Sequence, residues 1–180
     1  MDITLLLVEE IKSKVLEGVD RARTALFADP TVDYDALSNA ILADFDDYFD
    51  FKIDMPNIYG ELEIPKTVLS KKNKKKKSVR VCKINYPIVC TFRSPGVLEV
   101  IKGSSTADIE FDIERISVIQ DLGESEVDEA DFKSAVAAVR RFMDNSLTIK
   151  KDIKKIIEVS KVGLKQQIAT LFVEHDKVAR

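Results

Sequence analysis

The chain has 180 residues, with 28 Lys and Arg against 31 Asp and Glu, a formal net charge of −3, 45% apolar and 33% charged residues, and no tryptophan. That length suits one domain with a proper core, and the composition excludes a disordered chain in favour of a folded, helix-rich one. Two cysteines are too few for a disulfide framework or a four-cysteine zinc site, and low aromatic content argues against stacking platforms for single-stranded bases.

The segment from Met1 to Glu10 has no basic flank and meets two glutamates after a short apolar run, so it reads as neither a signal peptide nor a membrane span. The expected setting is therefore cytoplasmic, nuclear if the source is eukaryotic, or a virion if it is viral. Residues 4–27 form the first expected helix, because Val8, Ile11, Val15, Val19, Ala22 and Leu26 recur at steps of three and four. It should end near Asp29-Pro30. A second helix should start after Thr31 or Asp33, run through Leu37, Ala40, Ile41 and Phe45, and close in the stretch from Asp44 to Phe51, rich in aromatic and acidic residues.

Alternation and turn residues then predict an antiparallel meander of about five strands: 59–69, 79–84, 88–93, 97–102 after the turn Ser94-Pro95-Gly96, and 108–114. The last is the clearest, since Asp108, Glu110, Asp112 and Glu114 alternate with Ile109, Phe111 and Ile113. Cys82 and Cys90 lie in two of these strands and read as buried free thiols. From about residue 124 the helical period returns, with Phe132, Ala135, Val136, Val139, Phe142 and Met143 on one side. Asn145-Ser146 should break this helix, and a long amphipathic helix should follow from Thr148, making a helical hairpin. The fold class is α+β, one domain over 1–180, helical in 1–50, β-rich in 51–122 and hairpin-like in 123–180.

The strongest signal is the run Lys71, Lys72, Lys74, Lys75, Lys76 and Lys77, interrupted only by Asn73 and followed by Arg80 and Lys83. Nine basic and no acidic residues lie between Lys66 and Lys83, and removing their charge from a net of −3 leaves the remainder at −12. Three readings stand: a solvated loop that blunts a sheet edge, a nuclear import signal, and a contact for an anionic partner. Crowded lysines repel each other, so a polyanion would order them; on duplex nucleic acid six such contacts give a log–log salt slope of roughly −5.

Other clusters carry less. The acidic group Asp44, Asp46, Asp47, Asp50 and Asp54 fails as an EF-hand loop, which needs glycine and glutamate where this chain has Phe49 and Met55. The strand carboxylates from Asp108 to Glu114 stand about 7 Å apart along a solvated face, unlike a two-metal centre, and suit attraction of the lysine arm. His175, the only histidine, lies at the end of the last helix, far from any nucleophile arrangement, and no glycine-rich phosphate loop or dinucleotide fingerprint is present. No cofactor or metal is expected.

The last helix has an apolar stripe of Ile153, Ile157, Leu164, Ile168 and Leu171, which either packs internally or meets a partner chain. Together these features describe a non-catalytic interaction or assembly protein, a subunit of a larger complex, viral particles included, with its lysine loop on an anionic partner and homo-oligomerisation or a protein partner expected. The alternative is a sequence-independent nucleic-acid-binding protein using the 71–83 arm; no membrane role is indicated.

Overall fold

The computed structural model of the protein describes residues 4–55, 59–70, 77–123 and 125–178; for residues 64–70, 77–79, 123 and 178 it describes the backbone alone. In chain order the elements are α1 (Leu5–Ala28), α2 (Tyr34–Phe49), β1 (Phe51–Asp54), β2 (Glu61–Ser70), β3 (Lys77–Pro87), β4 (Val89–Phe92), α3 (Pro95–Gly103), β5 (Ile109–Asp112), β6 (Arg115–Gly123) and α4 (Glu129–Val178). The class is α+β, with a helix pair first, strands between and a long helix last. The strands form a four-stranded antiparallel sheet in the order β2-β3-β6-β5 and a two-stranded sheet, β1-β4. By contact density the chain divides into two compact units: residues 1–51, 92–100 and 149–180, and residues 52–91 and 101–148.

The first unit is helical. Thr4 caps α1 by accepting from the Leu7 amide at 3.3 Å, and Asp33 caps α2 by accepting from Ala36 at 2.9 Å, each filling an otherwise vacant donor of the first turn. Leu7, Ile11, Ala22 and Leu26 of α1 are buried, as are Ile41, Phe45 and Phe49 of α2. Val8 and Val15, expected on the same stripe, are only half-buried.

Segment 97–102 departs from expectation, for it is helical rather than extended. Ser94 caps α3, its hydroxyl accepting from the Val97 amide at 3.0 Å, and Pro95 opens the helix where a missing N–H costs nothing. Glu10 of α1 then holds this start in place: its carboxylate accepts from the Ser94 hydroxyl and from the Gly96 amide, the latter at 3.0 Å. A Cβ on Gly96 would lie 2.5 Å from the Leu7 Cα, so only glycine lets the two backbones approach this closely. The β-branched residues suggested a strand, yet Val97 and Val100 are buried at a spacing of three, the helical period.

The second unit is built on the four-stranded sheet. Cys82, Ile84 and Tyr86 of β3 stand opposite Gln120, Val118 and Ile116 of β6, and Ile109 and Phe111 of β5 pair with Val118 and Ile116, so these residues share one face. The first part of α4 covers it: the Phe142 ring stacks on Phe111 with centroids 5.4 Å apart, and the Gln120 amide donates to the Asp131 carbonyl at 2.8 Å. Ile109 and Phe111 are buried as anticipated, but Ile113 is half-exposed because β5 stops at Asp112 and the chain turns into β6.

The expected hairpin at the C-terminus is a single helix of 50 residues. Asn145-Ser146 does not interrupt it because the local polar groups bond back onto the helix: Ser146 Oγ donates to the Met143 carbonyl at 2.7 Å and Thr148 Oγ1 to the Asp144 carbonyl at 3.2 Å. Residues 129–148 of α4 belong to the second unit and the rest to the first. The stripe considered as a partner interface lies inside the first unit, where Ile153, Ile157, Leu164 and Ile168 are all buried and Leu171 is half-buried. Burial there has a local cause: Gly18 of α1 leaves a gap that the Leu164 methyls fill, 3.0 and 3.2 Å from where a Cβ would stand.

Candidate functional site

The basic run belongs to the β2–β3 hairpin. The two strands pair from Glu61↔Asn85 to Ser70↔Lys77, with a register shift between Glu63 and Lys66 that falls at Pro65, a residue unable to donate to a ladder. Lys71, Lys72, Lys74, Lys75 and Lys76 lie outside the described residues; Lys77 opens β3, and its side chain is likewise outside the description. Arg80 is exposed on β3, opposite Thr67 of β2. Lys83 is engaged within the sheet, its ammonium 2.6 Å from Glu110 of β5 across the intervening β6. One strand carboxylate therefore meets a cation of the basic stretch within the same chain.

Lys83 lies on the sheet face opposite Tyr86, and the same face carries a polar chain across three strands. Ser117 Oγ donates to Asn85 Oδ1 at 2.7 Å, and the Asn85 amide donates to Glu63 at 3.4 Å. Asp108, at the entry to β5, accepts from the Thr106 hydroxyl, which holds its carboxyl below the usual carboxylate range.

Four of the five acids around the end of α2 are paired, exposed Asp47 being the exception among the described residues. Asp44 meets Arg21, Asp46 lies 2.5 Å from Lys161, Asp50 lies 2.7 Å from Lys150, and Asp54 lies 2.6 Å from Lys52. Lys150 reaches further, to the Phe51 carbonyl at 2.5 Å. The hydrogen bond to Asp46 is the main reason that the Lys161 ammonium is held above its ordinary pKa. Asp46, Asp47 and Asp50 line one pocket of about 270 Å³ together with Lys150 and Lys154. Among the described residues no group of three or more His, Cys, Asp and Glu side chains is placed to hold a metal ion.

Both cysteines are free thiols. Burial, with Asp54 adding to it, pushes the Cys90 thiol up to about 11 from 9.0. The thiolate is the nucleophile, so its fraction near neutral pH is about 100-fold below that of an unperturbed thiol. Alkylation of native protein by iodoacetamide at pH 8, followed by mass spectrometry, is expected to be slower at Cys90 by about that factor than in the unfolded chain, and to accelerate as pH rises. Equal rates in the two states would show an unshielded thiol.

A feature with no single-residue signature in the sequence is an open groove of about 650 Å³ in the second unit, lined by Tyr59, Gly60 and Tyr86 on one side and by Phe132, Val136, Ala137 and Arg140 of α4 on the other. Tyr86 is fully buried, and its hydroxyl has no hydrogen-bond partner among the described residues. Gly60 makes this packing possible, since a Cβ there would lie 2.8 Å from the Tyr86 ring carbon that bears the hydroxyl. Only the i, i+4, i+8 spacing of Phe132, Val136 and Arg140 is visible in the sequence, and it has the same appearance as an ordinary amphipathic face.

Among the described residues no helix is long and apolar enough to cross a membrane. No family model, no curated protein and no solved structure matches the chain.

Proposed function

We propose that this chain is a non-catalytic interaction protein, a subunit of a larger assembly, whose basic stretch from Lys71 to Arg80 contacts an anionic partner. The observation that carries this reading is the register of the β2–β3 hairpin, which is paired up to Ser70↔Lys77 and so anchors the ends of the lysine run to a four-stranded sheet. A cationic segment tethered at both ends loses less chain entropy on binding than a free tail of the same charge. Lys83 is already paired with Glu110, which leaves Arg80 and the lysines before it as the contact.

Non-catalytic action is favoured by the carboxylates. Asp44, Asp46 and Asp50 of the α2 end are each matched with Arg or Lys, whereas a hydrolytic or metal-assisted centre gathers several unpaired acids in one pocket.

Affinity capture from lysate with wild type and a variant carrying serine at Lys74, Lys75, Lys76 and Lys77 tests this. Capture of an acidic protein that survives nuclease, weakens with salt and disappears in the variant is the expected result. Capture that disappears with nuclease would move the function to nucleic-acid binding; on duplex DNA the salt slope would then fall from roughly −5 to about −2 in the variant, at 0.9 per lost phosphate contact. Equal capture by both proteins would overturn the role of the basic run.

A further inference from the structure

Helix α1 buries one side in the first unit, and its exposed side is periodic. Leu5, Leu16 and Phe27 stand there, 76%, 63% and 92% exposed. They recur every eleven residues, close to three helical turns, so they lie on one line about 33 Å long at 1.5 Å per residue. Between them, in the same order twice, come an acid and a base. Glu9 with Lys12 and Asp20 with Arg23 are all exposed, and each couple is joined within the helix, at 3.1 and 2.7 Å. At 3.6 residues per turn these positions all fall within about 40° of Leu16. Single exposed apolar side chains are ordinary, but a line of them flanked by charges of alternating sign is the makeup of a helix–helix seam.

The order of the residues also selects the partner. If a second copy of α1 is turned end for end about a two-fold axis at Leu16, positions equally far from Leu16 on either side meet. Leu5 then faces Phe27, Glu9 faces Arg23 and Lys12 faces Asp20, because these pairs lie eleven, seven and four residues from the centre. Every apolar residue meets an apolar one, and every charge meets its opposite. A parallel pair in register would instead set each charge against its own sign. Self-complementarity is what a two-fold interface requires, since each of its contacts occurs twice, whereas an unrelated partner has no need of symmetry about Leu16.

We propose that α1 is the docking surface for a second copy of this chain, packed antiparallel with Leu16 at the two-fold axis. The Leu16 pair and the two Leu5–Phe27 pairs leave water and supply the affinity. The interchain ion pairs, exposed at the rim, fix direction and register more than they add strength. This surface is on α1 and the basic run is on the β2–β3 hairpin, so the dimer stands apart from the anionic contact.

The test is sedimentation equilibrium of the full chain from low to high micromolar concentration. A reversible dimer is expected, its mass rising from that of one chain toward that of two. Leu16→Lys, which sets two ammonium groups against each other at the axis, should weaken it at least tenfold. Glu9→Lys and Arg23→Glu should each do the same alone, since each creates two like-charge pairs. Mixed one to one, the Glu9→Lys and Arg23→Glu chains should pair at least tenfold more tightly than either does with itself, because each new charge then meets its opposite. Serine at Lys74, Lys75, Lys76 and Lys77 should leave the dimer unchanged. The three substituted positions of α1 are exposed, so these variants should keep the wild-type circular dichroism. A wild type that stays monomeric, a dimer that survives Leu16→Lys, a mixture no tighter than its components, or loss of the dimer in the lysine variant would each overturn the proposal.

Discussion

Replacing Asn145 with proline is expected to destabilise the protein by about 3 kcal/mol or more, read as a lower urea midpoint, whereas Asn145→Ala should leave it unchanged or raise it by a few tenths. Proline has no amide hydrogen for the helical ladder, and its ring strikes the carbonyl four residues back, at Arg141. Asn145 is exposed, so the loss comes from the backbone and not from buried side-chain contacts. The contrast between the two substitutions carries the information. In a turn between two helices, proline at this position would be tolerated and alanine would gain nothing; within α4 the order reverses. An unchanged midpoint for Asn145→Pro would mean that the long helix is interrupted there in solution.

Leu164→Ala should cost about 2–5 kcal/mol, because the side chain is fully buried and its methyls fill the gap left by Gly18 beside Ile41. Val159, only five residues earlier on the same helix, is 75% exposed, and Val159→Ala should change stability by no more than about 0.5 kcal/mol. The pair separates the two possible uses of the apolar residues of α4. If the stripe of Ile153, Ile157, Leu164 and Ile168 instead served a partner chain, Leu164→Ala would lower the mass seen by light scattering while leaving the denaturation midpoint of the isolated chain intact. Gly18→Ala supplies a further check: its Cβ would press on Leu164 Cδ1 at 3.0 Å, so it should be better tolerated in the Leu164→Ala background than in wild type.

The elements that were legible in the sequence are those whose partners repeat along one segment. Helix α1 came within a residue at each end because Ile11, Val19, Ala22 and Leu26 recur at helical steps and Thr4 and Asp29 flank them. The start of α2 was read after Thr31 or Asp33, and Asp33 is the residue that caps it. β5 was legible from the alternation of Ile109 and Phe111 with carboxylates, though not its early end at Asp112. β1 and β6 were missed: β1 is four residues long and carries an aromatic-acidic sequence that reads as a helix end, and β6 alternates only partly, with Ile116, Ser117 and Val118 all buried.

Other misreadings have a single origin in non-local contacts. The Val97–Lys102 segment has β-branched residues that suit a strand, but Glu10, more than eighty positions away, accepts from Ser94 and Gly96 and favours the helical start. Asn145-Ser146 resembles a break until Ser146 is buried and its hydroxyl turns back on the Met143 carbonyl. The partners of the acidic end of α2, Arg21, Lys150 and Lys161, likewise come from other helices, so its ion pairs could not be read from the local sequence.

The groove illustrates the same division for function. Gly60, Tyr86 and Arg140 are unremarkable at their places in the chain, and only the sheet register together with α4 brings them to one groove. By itself the sequence determined the α+β class, the helices at the start and the position of its basic run, because hydrophobic period, capping residues and charge density are properties of short segments. Tertiary structure decided which apolar stripe of α4 is core, which charges cancel and which buried hydroxyl is left without a partner among the described residues, because burial and ion pairing depend on residues that are distant in the chain and adjacent only after folding.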